Sequence, residues 1–278
     1  MQPTPFSDPP SYLVKLASLC IVAAEMSCSA AAESPMLSEP PAASGGASGG
    51  ATSAGGSAGA TAAAVNPLGR ARCQAPAGAS AFPQNTEQAV QLLNALPKPT
   101  SVACFVESLA RPLTVYATSS TFSAQPAFSA ISPRVFIKLG QLWISVVLDG
   151  NSSYLIEFGA LVSGTPPRSI KGELELPMNA PVAASAPYDR VRMNDAGTGC
   201  GLCHYNEERD SSIGFAQAFS SIAFRPRPET RVSIDSLRIQ DQTCDWRLES
   251  HRCEMLSALF GGGAVEETPF PDTMATFF

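Results

Sequence analysis

Apolar positions recur with two different periods along this chain, and the change of period marks out its elements. Between Asn85 and Pro97 the residues Ala89, Leu92, Leu93 and Leu96 fall three and four apart, which predicts a short helix. Asn85 or Thr86 offers a side-chain oxygen to its free amides, and Pro97 stops it. From Val102 the period is that of strands. Residues 102–109, 113–122 and 134–148 are rich in Val, Ile and aromatic side chains and are broken by Pro or Gly. The third of these turns at Gly140 into two strands, and Asp149-Gly150-Asn151 predicts a hairpin turn after them. Strands continue over 154–162, over the alternating stretch 171–178, and over 215–224 and 231–239; a helix over 241–260 ends at Gly261-Gly262-Gly263.

About seven or eight closely spaced strands with a helix near each end predict a mainly β fold, an antiparallel β-sandwich with short N-terminal and C-terminal helices. The domain expected on this pattern spans residues 67–278. Residues 34–63 are almost devoid of large apolar side chains, so burial there cannot offset the entropy of ordering the chain. Residues 33–66 therefore read as a disordered Gly/Ala/Ser-rich tether.

Ahead of the tether, residues 11–24 form an apolar run too short to span a bilayer as an ordinary helix. It fits the hydrophobic region of a secretory leader over residues 1–32, with Ala30-Ala31-Ala32 as a cleavage site. Cys28 is the alternative processing point, as a lipidated first residue. A leader, a tether and a compact domain in that order resemble the layout of bacterial surface or periplasmic lipoproteins. That resemblance implies an extracytoplasmic location, in the periplasm or at the cell surface, with a lipid on Cys28 as the membrane tether.

Charge narrows the function classes. The formal net charge is −6 and only 15% of residues are charged, so no basic field points to nucleic acid. No phosphate-binding glycine motif follows a strand, and no G-x-S-x-G nucleophile motif is present. With only two histidines, His204 and His251, serine-type catalytic arrangements are poor candidates. Glu207, Glu208, Glu173 and Glu175 are paired acids that read as solvated surface. His251, set between two cysteines, also reads as surface.

Six of the eight cysteines fall in the expected domain. Cys244 and Cys253 flank a short segment and pair; Cys73 and Cys104 pair across the N-terminal helix. Cys200 and Cys203 are left as a unit within Cys200-Gly-Leu-Cys203-His204. Two thiols three residues apart, followed at once by an imidazole, suit haem attachment, a third disulfide, part of a zinc site or a redox dithiol.

The five residues 200–204 resemble the attachment motif of c-type cytochromes. That resemblance implies haem c as cofactor, thioether bonds from Cys200 and Cys203, and His204 as the proximal ligand of the haem iron. Met255 is then a candidate sixth ligand, although its place beside Leu256 and Leu259 also fits core packing. The function expected on that basis is electron transfer or haem-dependent sensing, with a redox partner protein. The alternative, from a different class, is a disulfide-stapled surface or periplasmic domain for binding or structural work, without a cofactor. A thiol–disulfide oxidoreductase at Cys200 and Cys203 is a third option, set against the absence of a thioredoxin-like βαβ pattern.

Overall fold

The computed structural model describes residues 69–277. The expected leader, the tether and Cys28 lie outside the described residues, as do residues 67, 68 and 278. No helix among the described residues is long and apolar enough to cross a membrane.

Two short helices open the described chain, α1 (Thr86–Ala95) and α2 (Val102–Ser108). Asn85 caps α1 by accepting from the Gln88 amide at 2.9 Å, and the Gln88 side chain returns the bond to the Gln84 amide at 2.9 Å. Ser101 caps α2 through the Cys104 amide at 3.1 Å. The strand expected over 102–109 is thus a helix. All seven residues of α2 are buried, so it carries no polar stripe, and a helix buried all round leaves no 3.6-residue period to read.

Strands β1 (Leu113–Thr118), β2 (Arg134–Leu139), β3 (Leu142–Val147), β4 (Leu155–Val162) and β5 (Arg168–Glu175) then run antiparallel, each beside the last. Gly140, at φ +63, begins the two-residue loop between the paired Leu139 and Leu142. A third helix α3 (Ala186–Val191) packs on β5, where the Pro187 side chain comes within 2.9 Å of a Cβ built on Gly172. After it come β6 (Arg192–Asn194), β7 (Gly197–Thr198), β8 (Glu208–Asp210), β9 (Ala218–Ile222), β10 (Phe224–Arg225) and β11 (Arg231–Val232). Helices α4 (Ile234–Gln242) and α5 (Ser250–Phe260) and the short strands β12 (Val265–Glu267) and β13 (Ala275–Thr276) complete the described chain.

The fold is β-rich with short helices towards both ends, as the strand periods implied. Its principal sheet has nine strands in the order β11-β1-β2-β3-β4-β5-β9-β8, with β12 pairing parallel to β1; β10–β13 and β6–β7 form two small sheets. Alternate residues of a strand face opposite ways, and here the two faces are covered differently. Leu113, Val115, Ile137, Ile144 and Ile156 pack with α1, α2, α4 and α5 into the main core. Tyr116 and Trp143 face the other way, and the C-terminal segment covers them. Phe270 stacks on Trp143 at 4.2 Å and meets Tyr116 and Phe136 edge-on at 5.1 Å, with Met274 buried beside them. Each large side chain buried in this way contributes about 1.5–3 kcal/mol.

Two further expectations give way near the C-terminus. Only Arg231 and Val232 of the strand expected over 231–239 are extended, because the Ser233 hydroxyl accepts from the Ser236 amide at 3.1 Å and starts α4. The helix expected over 241–260 is two helices, parted by an Asp245 turn in which the carboxylate accepts from the Arg247 amide at 2.9 Å.

The disulfides are Cys73–Cys104 and Cys244–Cys253, the pairing that the spacing predicts. Around the first, buried Glu107 accepts from the Cys73 amide at 2.9 Å and pairs with Arg70 at 2.9 Å, so the start of the domain is held to α2 by a covalent and an ionic tie.

Candidate functional site

The motif around Cys200 is delivered by the β6–β7 ribbon, in which Arg192 pairs with Thr198 and Asn194 with Gly197. The Thr198 hydroxyl accepts from the Cys200 amide at 3.1 Å and starts a 3-10 turn over Gly199–Leu202. The amides of Cys203 and His204 both donate to the Cys200 carbonyl, at 3.1 and 2.8 Å. Residues three apart eclipse in such a turn, so Cys200 and Cys203 lie on one side of it. Both are free thiols; Cys200 is half-buried and Cys203 exposed.

Glu207 shapes this turn from below. Thr198 donates to its carboxylate twice, from the amide and from the hydroxyl, each at 2.6 Å. The same carboxylate presses on two glycines. A Cβ on Gly197 would come within 2.6 Å of it, and one on Gly201 within 2.8 Å. The glycines of Gly197-Thr-Gly-Cys-Gly201 therefore make room for an acid that the sequence presented as solvated surface. Glu208 does stay exposed, with Arg168 at 3.5 Å. Glu173 and Glu175, also expected as free surface, both pair with Arg190 of α3, at 2.6 and 3.0 Å.

His204 points inward. Its Nδ1 lies 2.8 Å from the Ile222 carbonyl; the carbonyl accepts, so Nδ1 carries the proton. Its ring is 5.4 Å from Phe224 and 6.0 Å from Phe277. Burial takes its pKa down to about 3, and the Lys171 and Arg134 charges push the same way, so the imidazole is neutral near pH 7. Lys171 stands on β5 at the position paired with Gly159 of β4. Burial brings its ammonium down to about 8. Burial also pushes the Cys200 thiol up, with the Lys171 charge opposing. Beside them Glu157 is engaged by Arg134, which also donates to the Ser145 hydroxyl at 2.8 Å.

The other singled-out residues lie elsewhere. Met255 is fully buried in the main core with Leu256 and Leu259, in a cluster that does not include His204. His251 is exposed at the start of α5. Tyr205 is exposed and meets Phe224 edge-on at 5.4 Å. Met274 is buried beside Phe270, and Phe277 meets Phe224 edge-on at 5.3 Å. Sequence reasoning missed Lys171, and the pairing of Gly197 and Gly201 with an acid six residues beyond was the one available sign of Glu207.

This geometry corrects the resemblance to c-type cytochromes. Among the described residues no group of three or more His, Cys, Asp or Glu side chains is placed to hold a metal ion. The thiols and the imidazole of the motif do not form such a group because His204 is drawn inward onto a carbonyl and two phenyl rings while Cys203 faces outward. The resemblance that implied ligand roles for Cys200, Cys203, His204 and Met255 is thereby overturned. Among the described residues, the bonded cysteines are the four outside the motif. No protein-family model matches this chain, and no curated protein or solved structure matches it either.

Proposed function

We propose that this chain is an exported, disulfide-stapled domain that works by binding or as a structural unit at the cell surface or in the periplasm. The observation that carries the reading is the pair of disulfides at the two ends of the described chain, Cys73–Cys104 and Cys244–Cys253. Such bonds persist in oxidising compartments and are kept reduced in the cytosol. They close segments with separations of 31 and 9 residues, and each fastens a helix of the layer over the principal sheet. The leader-and-tether order of residues 1–66 supports the same location. A domain held out on a Gly/Ala/Ser tether suits reach towards a partner rather than turnover in solution.

The test is fractionation with rapid thiol blocking in the native host. The mature chain is expected outside the cytoplasm with Cys73, Cys104, Cys244 and Cys253 oxidised, and the mass of its N-terminus distinguishes cleavage after Ala32 from a lipid on Cys28. Full-length chain in the cytosol with all thiols reduced rejects the reading.

A further inference from the structure

Among the described residues the Cys200–Cys203 turn is the one cysteine pair that the staples leave over, and its setting differs from theirs. Cys104 and Cys253 are buried in helices of the main core, whereas Cys203 stands exposed on a loop between the exposed side chains of Leu202 and Tyr205. In the 3-10 turn three residues advance about 6 Å, within the Cα separation of about 4.4–6.8 Å that a disulfide spans. That spacing lets the bond close with little movement of the backbone, which Glu207 holds from below through Thr198.

We propose that Cys200 and Cys203 form a reversible dithiol–disulfide pair that exchanges with the disulfide of a small-molecule or peptide partner. Exposed Cys203, as thiolate, attacks one partner sulfur. The partner S–S bond breaks, a mixed disulfide forms on Cys203, and the first partner thiolate leaves and takes a proton from solvent. Half-buried Cys200 then gives its proton to solvent and attacks the Cys203 sulfur. This closes Cys200–Cys203 and expels the second partner thiolate, which takes a proton from solvent. Two electrons pass from the chain's dithiol to the partner, which leaves as two thiols; the reverse sequence reduces the turn.

Three observations set these roles. Exposure makes Cys203 the entering thiol and burial makes Cys200 the resolving one. The Lys171 charge opposes the burial that pushes the Cys200 thiol up, so it favours the Cys200 thiolate. The apolar Leu202 and Tyr205 side chains flank the entering thiol and offer a contact to a peptide partner. The proposal goes beyond the binding reading and does not rest on it, since exchange is measured on the purified chain whatever its compartment.

The test uses the full chain and glutathione disulfide, with acid quenching, alkylation and peptide mass mapping. The wild-type chain is expected to gain a Cys200–Cys203 bond and release two glutathiones, with Cys73–Cys104 and Cys244–Cys253 oxidised throughout. Cys200→Ser is expected to accumulate glutathione on Cys203, and Cys203→Ser to load Cys200 at least about tenfold more slowly. Lys171→Met removes the charge that favours the Cys200 thiolate, so the mixed disulfide is expected to persist several-fold longer. A pair that stays reduced at every glutathione ratio overturns the proposal, as does equal loading of the two cysteines. A closed pair that resists reductant as long as the two staples do also overturns it. An unchanged mixed-disulfide lifetime in Lys171→Met overturns the role of Lys171.

Discussion

At the scale of single residues, charge state and packing are coupled around His204. Its folded pKa of about 3 lies below the ordinary 6.5, so as pH falls through that window the unfolded chain takes a proton that the folded chain refuses. Stability is therefore lost progressively between about pH 6.5 and pH 3. His204→Phe, which keeps a ring beside Phe224 and Phe277 but cannot titrate, is expected to flatten that part of the melting temperature profile; an equally steep acid loss in the variant would show that other groups cause it. Lys171 acts on the alkaline side. With a folded pKa of about 8 against an ordinary 10.5, stability rises with pH across that interval, and Lys171→Met is expected to be more stable than wild type near pH 7 and to lack the rise. Glu207→Ala removes the acceptor of two Thr198 hydrogen bonds, a loss of about 1–3 kcal/mol for groups bonded to a charge. Denaturant titration and limited proteolysis read it together: a lower midpoint with early cleavage within 197–210 is expected, and a midpoint equal to wild type refutes the keystone role.

Among the elements, the end of α5 shows how a turn signal can hide a packing demand. Gly261-Gly262-Gly263 reads as a helix stop, and the helix does stop there. The space these glycines leave is filled by two guanidiniums. Arg72 donates to the Ser257 carbonyl at 3.0 Å, and Arg111 to the Ala258 carbonyl at 2.6 Å and to that of Leu259, so the last carbonyls of α5 are satisfied by side chains from the start of the domain. Burial lowers the Arg111 guanidinium to about 10, with Arg72 adding to the effect. A Cβ on Gly261 would sit 1.9 Å from the Arg72 guanidinium. Gly261→Ala, harmless if the residue were only a stop, is expected to cost about 1–3 kcal/mol by overpacking and loss of these caps. Thermal melts decide it, and a change within about 0.5 kcal/mol, the usual range for a surface substitution, would show that Arg72 simply moves aside.

For the whole molecule, the staples and the main core hold together the two ends of the described chain. Closing the 31-residue and 9-residue segments stabilises the fold by about 3–4 and about 2–3 kcal/mol in the chain-entropy account. The double variant Cys73→Ser/Cys104→Ser is expected to lose the larger amount in non-reducing denaturation and Cys244→Ser/Cys253→Ser the smaller; a reversed order would mean that strain or residual structure outweighs loop closure. Much of this was legible in the chain itself. The strand composition over β2 to β5, the cap at Asn85, the turn at Gly140 and the cysteine spacing are local matters of residue type, capping and chain length, and each holds in the structure. What the sequence alone could not determine depends on which residues meet from a distance. Helix α2 was hidden because burial on every side erased its period, and the strand expected over 231–239 gave way to a cap whose helix is secured by the main core. The Cys200 motif shows the limit most plainly. Five residues prescribe a chemistry only if their side chains converge, and it was the Ile222 carbonyl, the Phe224 and Phe277 rings and the Glu207 carboxylate that decided where those side chains point.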